Sequence, residues 1–269
     1  MKSDFEIKKI EHDKLNSVSY CADRGGIITS LVLQGKELLY LDRETLNNKA
    51  LSVRGGIPIL FPNAGALREN LLFPKLEQHG FVRNMGWKDD STAKNINLKI
   101  ESNRELNNVY PYQFKIETSA SISKDNSFLF EQKILNTDTQ QIPVSAGLHP
   151  YFKVENKWKK NIIFDFPGGQ YVSDSFDSWS QGHYISIDNP AVKNIKDPMK
   201  VIIPELGSLI LQVSPNYKKI WIWSLSEKDF ICIEPVMRDI NGLIEDPCFI
   251  NIGKEETLFL KIDFISNQK

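Results

Sequence analysis

The chain has 269 residues, 33 basic and 34 acidic side chains, and a formal net charge of −1 at pH 7. This length can bury one large core, and we expect a single domain over residues 1–269. The balanced charge, with no Lys/Arg run interleaved with aromatic residues, argues against nucleic acid or a membrane surface as a partner. The charged N-terminus and the lack of about 20 consecutive apolar residues predict a soluble, cytoplasmic protein.

The first half of the chain reads as strands joined by turns. From Gly26, the segment GIITSLVLQGKELLYLD predicts a hairpin that turns at Gln-Gly-Lys, whereas the polar residues 42–50 predict a short helical or irregular crossing. Residues 112–122 alternate apolar and polar side chains, which predicts a half-buried strand. After a turn at residues 124–126, SFLFEQKILN predicts its antiparallel partner.

Short apolar runs bounded by Gly, Pro, Asn, Asp or Ser continue to the end of the chain. They are QIPVSAGLHPYF, NIIFDFP, GSLILQVS, KKIWIWSL, FICIEPV and TLFLKIDFI. No apolar period of 3.6 residues is sustained over about 11 residues, so long core helices are not expected. The pattern predicts an all-β fold, a large antiparallel β-sandwich.

Residues 54–87 combine rigid backbone with polar side chains. This stretch contains RGGIPILFPNAG and EQHGFVRNMGW, whose glycine pair and prolines exclude a regular helix. It carries Arg54, His79, Arg83 and Trp87. A cation, an imidazole and an aromatic face on a stiffened loop suit a polar, ring-shaped ligand.

Two further residues are candidates for proton transfer. His149 precedes Pro150 at a predicted strand end, so its backbone is held rigidly, as a proton donor requires. Glu234 ends the apolar strand FICIEPV, where desolvation raises the pKa of a carboxyl towards the range of a general base. The alternatives are a hydrogen-bonded or surface histidine and a strand-end glutamate that faces water.

The arginines have two possible roles, and the cysteines argue against a disulfide framework and a zinc site. Arg54 and Arg83 are either structural cations, paired with acids such as Glu77, or clamps for hydroxyls or a phosphate. The three cysteines are odd in number and lack Cys-x-x-Cys spacing, so we expect buried free thiols, no zinc site and no other metal. Without a phosphate-cradling glycine loop or a Gly-x-Ser-x-Gly motif, nucleotide binding and hydrolytic triads are not expected.

Four motifs, RGGIPILFP, QHGFVRNMGW, GLHPYFKV and CIEP, together resemble the aldose 1-epimerase (galactose mutarotase-like) family over about residues 24–265. The resemblance implies a β-supersandwich fold and interconversion of the α and β anomers of a sugar without a cofactor. It also implies that His149 is the general acid, that Glu234 is the general base, and that Arg54 and His79 bind sugar hydroxyls. We expect a small-molecule sugar as the partner and a monomer or weak homodimer.

The resemblance leaves the substrate open between a hexose and a hexose 6-phosphate. HGFVRNMGW is similar to the hexose-6-phosphate mutarotase branch, in which arginines matching Arg54 and Arg83 bind phosphate. The segment NAGAL, however, departs from the Trp-Pro-x-Phe-Gly form of that branch. For the loop aspartate that holds the sugar in many members, we predict Asp177, with Asp188 as the other candidate.

Two features concern the rim of the expected pocket. Trp87 or Tyr151 is a candidate platform for the C–H face of the sugar, although Trp87 equally suits core packing. The segment PVMRDINGLIEDP, which contains the residues after Glu234, diverges from the family. This divergence motivates a second hypothesis, a non-catalytic carbohydrate-binding or sensing protein on the same fold. A polysaccharide lyase on a related sandwich is disfavoured because the sequence gives no signal of a basic groove.

Overall fold

The computed structural model of the protein describes residues 5–68, 71–167, 184–193 and 197–267. Its named strands all pair antiparallel, and they form sheets of eight, six, four and two strands. The described strands are β1 (Lys8–Glu11), β2 (Ser17–Cys21), β3 (Ile27–Leu33), β4 (Lys36–Glu37), β5 (Ile59–Leu60), β6 (Lys88–Asp89), β7 (Ile96–Glu101), β8 (Phe114–Ile122), β9 (Phe128–Asn136), β10 (Ile142–Val144), β11 (Gly147–Leu148), β12 (Tyr151–Lys153), β13 (Ile163–Asp165), β14 (Ile185–Asp188), β15 (Met199–Ile203), β16 (Gly207–Val213), β17 (Lys219–Trp223), β18 (Phe230–Val236), β19 (Cys248–Ile250) and β20 (Glu255–Ser266).

Helices in the described residues are short. The α-helices are α1 (Arg43–Asn47) and α2 (Gly242–Glu245), and the 3₁₀ helices are Val82–Asn84, Arg104–Asn108, Asn156–Asn161 and Pro190–Lys193. Helix α1 begins where Asp42 accepts hydrogen bonds from the backbone N–H groups of Glu44 and Thr45, an N-cap that the polar residues 42–50 supply. Within the ranges described, no helix has the length and apolar character needed to cross a membrane.

The eight-stranded sheet follows the order β13-β15-β16-β20-β9-β8-β7-β6. Along β8, buried residues alternate with more exposed ones, and β9 pairs with β8 in continuous antiparallel register from Phe114↔Asn136 to Ile122↔Phe128. Both predicted strands and their pairing are therefore confirmed. The alternation arises because successive side chains of a strand point to opposite faces, one of which covers the core.

The six-stranded sheet follows the order β14-β17-β18-β11-β5, with β12 also paired to β18. It packs on the eight-stranded sheet through aromatic side chains. The ring of Phe61, directly after β5, lies 4.7 Å from the ring of Phe114 on β8. The Tyr110 hydroxyl donates to the Pro143 carbonyl at 2.6 Å, so this buried polar group is satisfied. The predicted all-β class is confirmed, and the core lies between these two sheets.

The predicted hairpin after Gly26 forms between β3 and β4, but β4 is only two residues long. The Glu37 carboxylate explains this, because it accepts the backbone N–H groups of Leu31 and Leu39, each at 3.0 Å. Strands β1 and β2 were missed, since KKIE is mostly polar and SVSYC is buried along its whole length. All three cysteines are free, as predicted. Cys21 and Cys232 are also buried as predicted, whereas Cys248 is only half-buried.

Candidate active site

Residues 56–62 pair with residues 145–151 and thereby fix His149. The pairing runs through Leu60↔Gly147, and the backbone N–H of His149 donates to the Pro58 carbonyl at 3.0 Å. The proline-stiffened segment and the GLHPYF segment, far apart in the chain, are thus neighbours in the six-stranded sheet. This register places the imidazole at the edge of a cavity.

The glycine pair in RGGIPILFP is required by close backbone packing. Gly55 and Gly56 have φ angles of 136° and 65°, which favour glycine. A Cβ atom at Gly56 would lie 2.2 Å from the Ile28 carbonyl oxygen, and one at Gly55 would lie 2.5 Å from the Leu41 Cα. The chain therefore threads between two neighbouring segments, with Arg54 at the cavity rim.

The HGFVRNMGW segment is held in the same way. At Gly80 the φ angle is +67°, and an added Cβ would overlap the Phe61 carbonyl. His79 also has a positive φ, of 68°. The Trp87 indole N–H donates to the Val82 carbonyl at 3.1 Å inside the core, so Trp87 is a core residue and not a sugar platform. His79 and Arg83, in contrast, reach the cavity.

Five of the six predicted site residues line one cavity of about 530 Å³: Arg54, His79, Arg83, His149 and Glu234. The sixth, Asp177, lies outside the described residues. Asp188 does not line this cavity and pairs instead with the Lys219 ammonium at 2.9 Å. The remaining lining residues are Ser52, Val53, Gly65, Ala66, Arg68, Gln78, Tyr151, Tyr184, Trp221, Trp223 and Ile240.

His149 and Glu234 form a direct pair in this cavity. The His149 Nε2 atom lies 3.4 Å from Glu234 Oε1, and the two residues are only 5% and 3% exposed. Burial raises the pKa of Glu234 well above its ordinary value, and it lowers the pKa of His149 well below. Burial therefore disfavours the charged form of each group, so it favours a neutral pair with the shared proton on the carboxyl.

Arg83 supplies a fixed positive charge next to this pair. The residue is 8% exposed, and among the described residues its guanidinium has neither a hydrogen bond nor an ion pair. Its charge opposes the upward shift in the pKa of Glu234 and adds to the downward shift in the pKa of His149. An arginine this deeply buried without a partner is positioned to receive an anionic or hydroxyl-rich ligand.

His79 is held as a neutral hydrogen-bond acceptor. Its Nδ1 contacts the Ala64 carbonyl, so Nδ1 carries the proton, while the Gln78 side-chain amide donates to Nε2 at 3.2 Å. Burial and the charge of Arg83 lower the pKa of His79 to about 4. At neutral pH the Nε2 atom therefore accepts a hydrogen bond, and a sugar hydroxyl can replace the Gln78 amide as donor.

Aromatic rings surround the pair. The imidazole of His149 stacks on Tyr151 with ring centroids 4.6 Å apart, and Trp223 meets its edge at 5.9 Å. Trp221 is the cross-strand partner of Glu234, so the indole and the carboxyl lie side by side on one face of the sheet. These rings both desolvate the pair and offer apolar surface to a ligand. Of the two platform candidates, Tyr151 is therefore the one in the cavity.

One group of side chains in the described ranges has the donor types of a metal site. The ligand atoms of His149, Cys232 and Glu234 all lie within 4.8 Å of one another. Tetrahedral zinc, with bonds of about 2.0–2.3 Å, brings its ligands closer together than that. The guanidinium of Arg83, which lines the same cavity, also repels a cation. The donor set would have to contract to hold zinc, whereas its present geometry suits proton transfer.

Sequence reasoning missed Arg68, Tyr184, Trp221 and Trp223, all of which line the cavity. Trp221 and Trp223 had a signal in KKIWIWSL, since alternate residues of that strand share a face with Glu234 once β17 and β18 pair. Arg68 and Tyr184 carried no local signal.

Comparisons with known proteins give one family. The family model described as aldose 1-epimerase matches residues 8–178. A curated relative from Cenchrus ciliaris, provisionally named a glucose-6-phosphate 1-epimerase, is 28% identical over 145 residues, which cover 49% of this chain and 42% of that protein. One from Salmonella typhimurium with the same name is 20% identical over 156 residues, or 56% of this chain and 49% of that protein. This chain thus spans less than half the length of these relatives.

Solved structures agree along the whole chain. A protein from Synechocystis sp. PCC 6803 is 25% identical with a TM-score of 0.82, and the match covers 99% of both chains. A galactose mutarotase related enzyme from Lactobacillus acidophilus is 17% identical with a TM-score of 0.75, covering 97% of this chain and 98% of that one. The second likeness shows the fold alone.

Proposed function

This chain belongs to the aldose 1-epimerase family, and on that premise we propose that it interconverts the α and β anomers of a hexose or hexose 6-phosphate. The observation that carries the proposal is the buried pair of His149 and Glu234, 3.4 Å apart in a cavity that also contains His79 and two arginines from the predicted set. Anomerisation needs one acid and one base that exchange protons with two oxygens on the same carbon. A close pair that shares one proton meets this need.

In the proposed reaction, Glu234 as a carboxylate removes the proton from the C1 hydroxyl. The electrons of that O–H bond form the C1 carbonyl, the bond from C1 to the ring oxygen breaks, and protonated His149 transfers its proton to the ring oxygen. Rotation about the C1–C2 bond and the reverse proton transfers then close the ring as the other anomer. Each group contributes about 10²–10⁴-fold to the rate.

The shared proton must lie on His149 when the reaction begins. Burial by itself favours the neutral carboxyl at Glu234, because it raises the pKa of that group. Arg83 and the hydroxyls of a bound sugar stabilise the carboxylate instead. We therefore infer that sugar binding moves the proton across the 3.4 Å contact to His149 and prepares the pair.

The charge of the cavity supports a phosphorylated substrate. Among the described residues, Arg54, Arg68 and Arg83 line it together with a single carboxylate, that of Glu234. Arginine presents a planar fork of donors that matches phosphate oxygens. The provisional names of the curated relatives also specify glucose 6-phosphate. Hexose 6-phosphate is thus the substrate that this arrangement favours over the free hexose.

The proposal is tested by following freshly dissolved α-D-glucose, α-D-galactose and α-D-glucose 6-phosphate by polarimetry or NMR, with and without protein. We expect acceleration, largest for glucose 6-phosphate, and a loss of about 10²–10⁴-fold in His149→Asn. The matched control His12→Asn changes an exposed histidine and should retain the rate. Saturable sugar binding without acceleration would contradict the proposal and favour the non-catalytic binding protein.

The phosphate preference is tested separately. Arg68→Met is expected to raise KM for glucose 6-phosphate by about tenfold while leaving KM for glucose within about twofold, because a hydrogen bond to a charged group contributes about 1.5–3 kcal/mol. Arg104→Met, which removes an exposed arginine away from the cavity, is the control. An equal change for both sugars would show that Arg68 does not recognise phosphate.

A further inference from the structure

The divergent segment after Glu234 contains a carboxylate on which several donors converge. Asp239 Oδ1 accepts hydrogen bonds from the Tyr184 hydroxyl at 3.1 Å, the Trp221 indole N–H at 3.1 Å and the Ile240 backbone N–H at 3.0 Å. Its Oδ2 accepts from the Ser186 hydroxyl at 3.0 Å. Tyr184 and Trp221 both line the cavity, so Asp239 joins two of its aromatic side chains.

These contacts leave Asp239 poorly suited to bind a sugar hydroxyl directly. A carboxylate offers about four lone-pair positions, two on each oxygen. Three donors already share Oδ1, including the side chains of Tyr184 and Trp221, and the hydroxyl of the exposed Ser186 donates to Oδ2. Asp239 itself is not among the residues that line the cavity, so a sugar in the cavity contacts its neighbours instead. Asp239 therefore acts through its neighbours.

The indole of Trp221 is constrained on several sides. It lies opposite Glu234 in the register of β17 and β18, and its ring centroid is 5.0 Å from that of Tyr184. On another side it meets Gly65, where an added Cβ would come within 3.0 Å of the indole ring. Rotation of the indole would break the hydrogen bond from its N–H group to Asp239 and would expose one side of Glu234.

We propose that Asp239 is a positioning residue of the sugar site, which holds Trp221 and Tyr184 as a wall for the C–H face of the substrate. Apolar groups pack favourably against aromatic faces, and a sugar ring presents C–H groups between its hydroxyls. A wall fixed in advance binds the ring without losing side-chain entropy on each binding event. The inference rests on the proposed function because it assigns the wall to the same substrate.

The test compares Asp239→Ala with Asp239→Asn. The alanine variant leaves the indole N–H and the phenol without their acceptor, so we expect KM for glucose 6-phosphate to rise about tenfold with kcat within about threefold of the parent. The asparagine variant keeps one carbonyl oxygen as acceptor and should restore KM to within about threefold. Ser186→Ala is the matched control, since it removes only the exposed contact to Oδ2 and should leave KM unchanged.

A binding measurement separates this inference from the proposed function. Titration of intrinsic tryptophan fluorescence with glucose 6-phosphate should give the same order of affinities: parent, Asn variant, then Ala variant. If the parent binds the sugar but accelerates nothing, the proposed function is wrong while the order of affinities still supports the wall. A parent that binds no sugar overturns both.

Parent-like KM and affinity in Asp239→Ala would overturn the inference alone. So would a loss in kcat without a change in KM, because that outcome makes Asp239 part of the proton transfer. If the alanine variant does not fold, Trp221→Phe provides the same test, since it keeps an aromatic ring but removes the N–H that Asp239 accepts. We then expect a similar rise in KM, and a parent-like KM contradicts the proposal.

Discussion

Strands β9 and β18 belong to the two large sheets, and they place charged residues in opposite environments. On β9 the side chains alternate between the core and the more exposed face, so Glu131 and Lys133 avoid full burial. On β18 all seven residues are buried, including Glu234. A strand covered on both faces leaves a carboxyl without water, which is what raises the pKa of Glu234. The six-stranded sheet thus contains the proposed acid–base pair.

Glu117 on β8 makes the same comparison with a single residue type. Its Oε1 atom pairs with the Lys115 ammonium at 2.6 Å, and its side chain is 50% exposed. Water solvates this carboxylate, whereas the rings around Glu234 exclude water. The environment, and not the presence of a carboxylate on a strand, therefore distinguishes the candidate site.

The largest expected effect separates these two glutamates by activity. Glu234→Gln removes the base and should lower kcat by about 10²–10⁴-fold, whereas Glu117→Gln should retain the parent rate. Polarimetry of the favoured sugar with both variants measures this. Equal activity of the two variants would remove the distinction between the sheets.

The second effect reverses the comparison, because the eight-stranded sheet is expected to carry stability. Phe130 is buried on β9, and Phe130→Ala should lower the free energy of unfolding by about 3–5 kcal/mol through the cavity it leaves. Ile163→Ala, at an exposed position of the same sheet, should change it by less than about 0.5 kcal/mol. Urea denaturation gives both values. Similar losses would show that Phe130 contributes no more to the free energy of unfolding than an exposed residue does.

The third effect concerns the stability cost of the buried carboxyl. Because the folded state raises the pKa of Glu234, the folded protein binds this proton more tightly than the unfolded chain, and stability falls as pH rises from below the unfolded pKa towards the folded one. Glutamine cannot ionise, so the free energy of unfolding of Glu234→Gln should exceed that of the parent by about 1 kcal/mol at pH 7.

Below about pH 4 the glutamate is protonated in both states, so this gain should disappear. Urea denaturation of both proteins at the two pH values measures it. A gain that grows as pH falls would mean that the pKa of Glu234 is lowered on folding, contrary to the effect of burial.

The smallest effect belongs to the exposed ion pair. A double-mutant cycle with Lys115→Met and Glu117→Gln should give a coupling energy below about 0.5 kcal/mol, since water and salt screen such pairs. The cycle is measured by urea denaturation at low and at high salt. A coupling above about 1 kcal/mol that persists in high salt would show that this face of the sheet is less solvated than its exposure indicates.

Local pattern was sufficient for β8, for β9 and for the all-β class, because the period of two and the turn residues act over a few neighbouring positions. It left Trp87 open between a platform and core packing, and only the structure shows that its indole lies in the core. Local pattern also missed β2, because a strand buried along its whole length shows no alternation.

The sequence indicated His149 and Glu234 as candidates because the residues next to them predict a rigid backbone and an apolar environment. Their 3.4 Å contact was not, since it depends on strand register across residues distant in sequence. The same holds for Asp239, an ordinary turn residue in the sequence that gains its importance only when folding brings Trp221 and Tyr184 to its carboxylate. Periodicity and turns are local properties, whereas a site is assembled by long-range pairing, and no short stretch of chain contains that information.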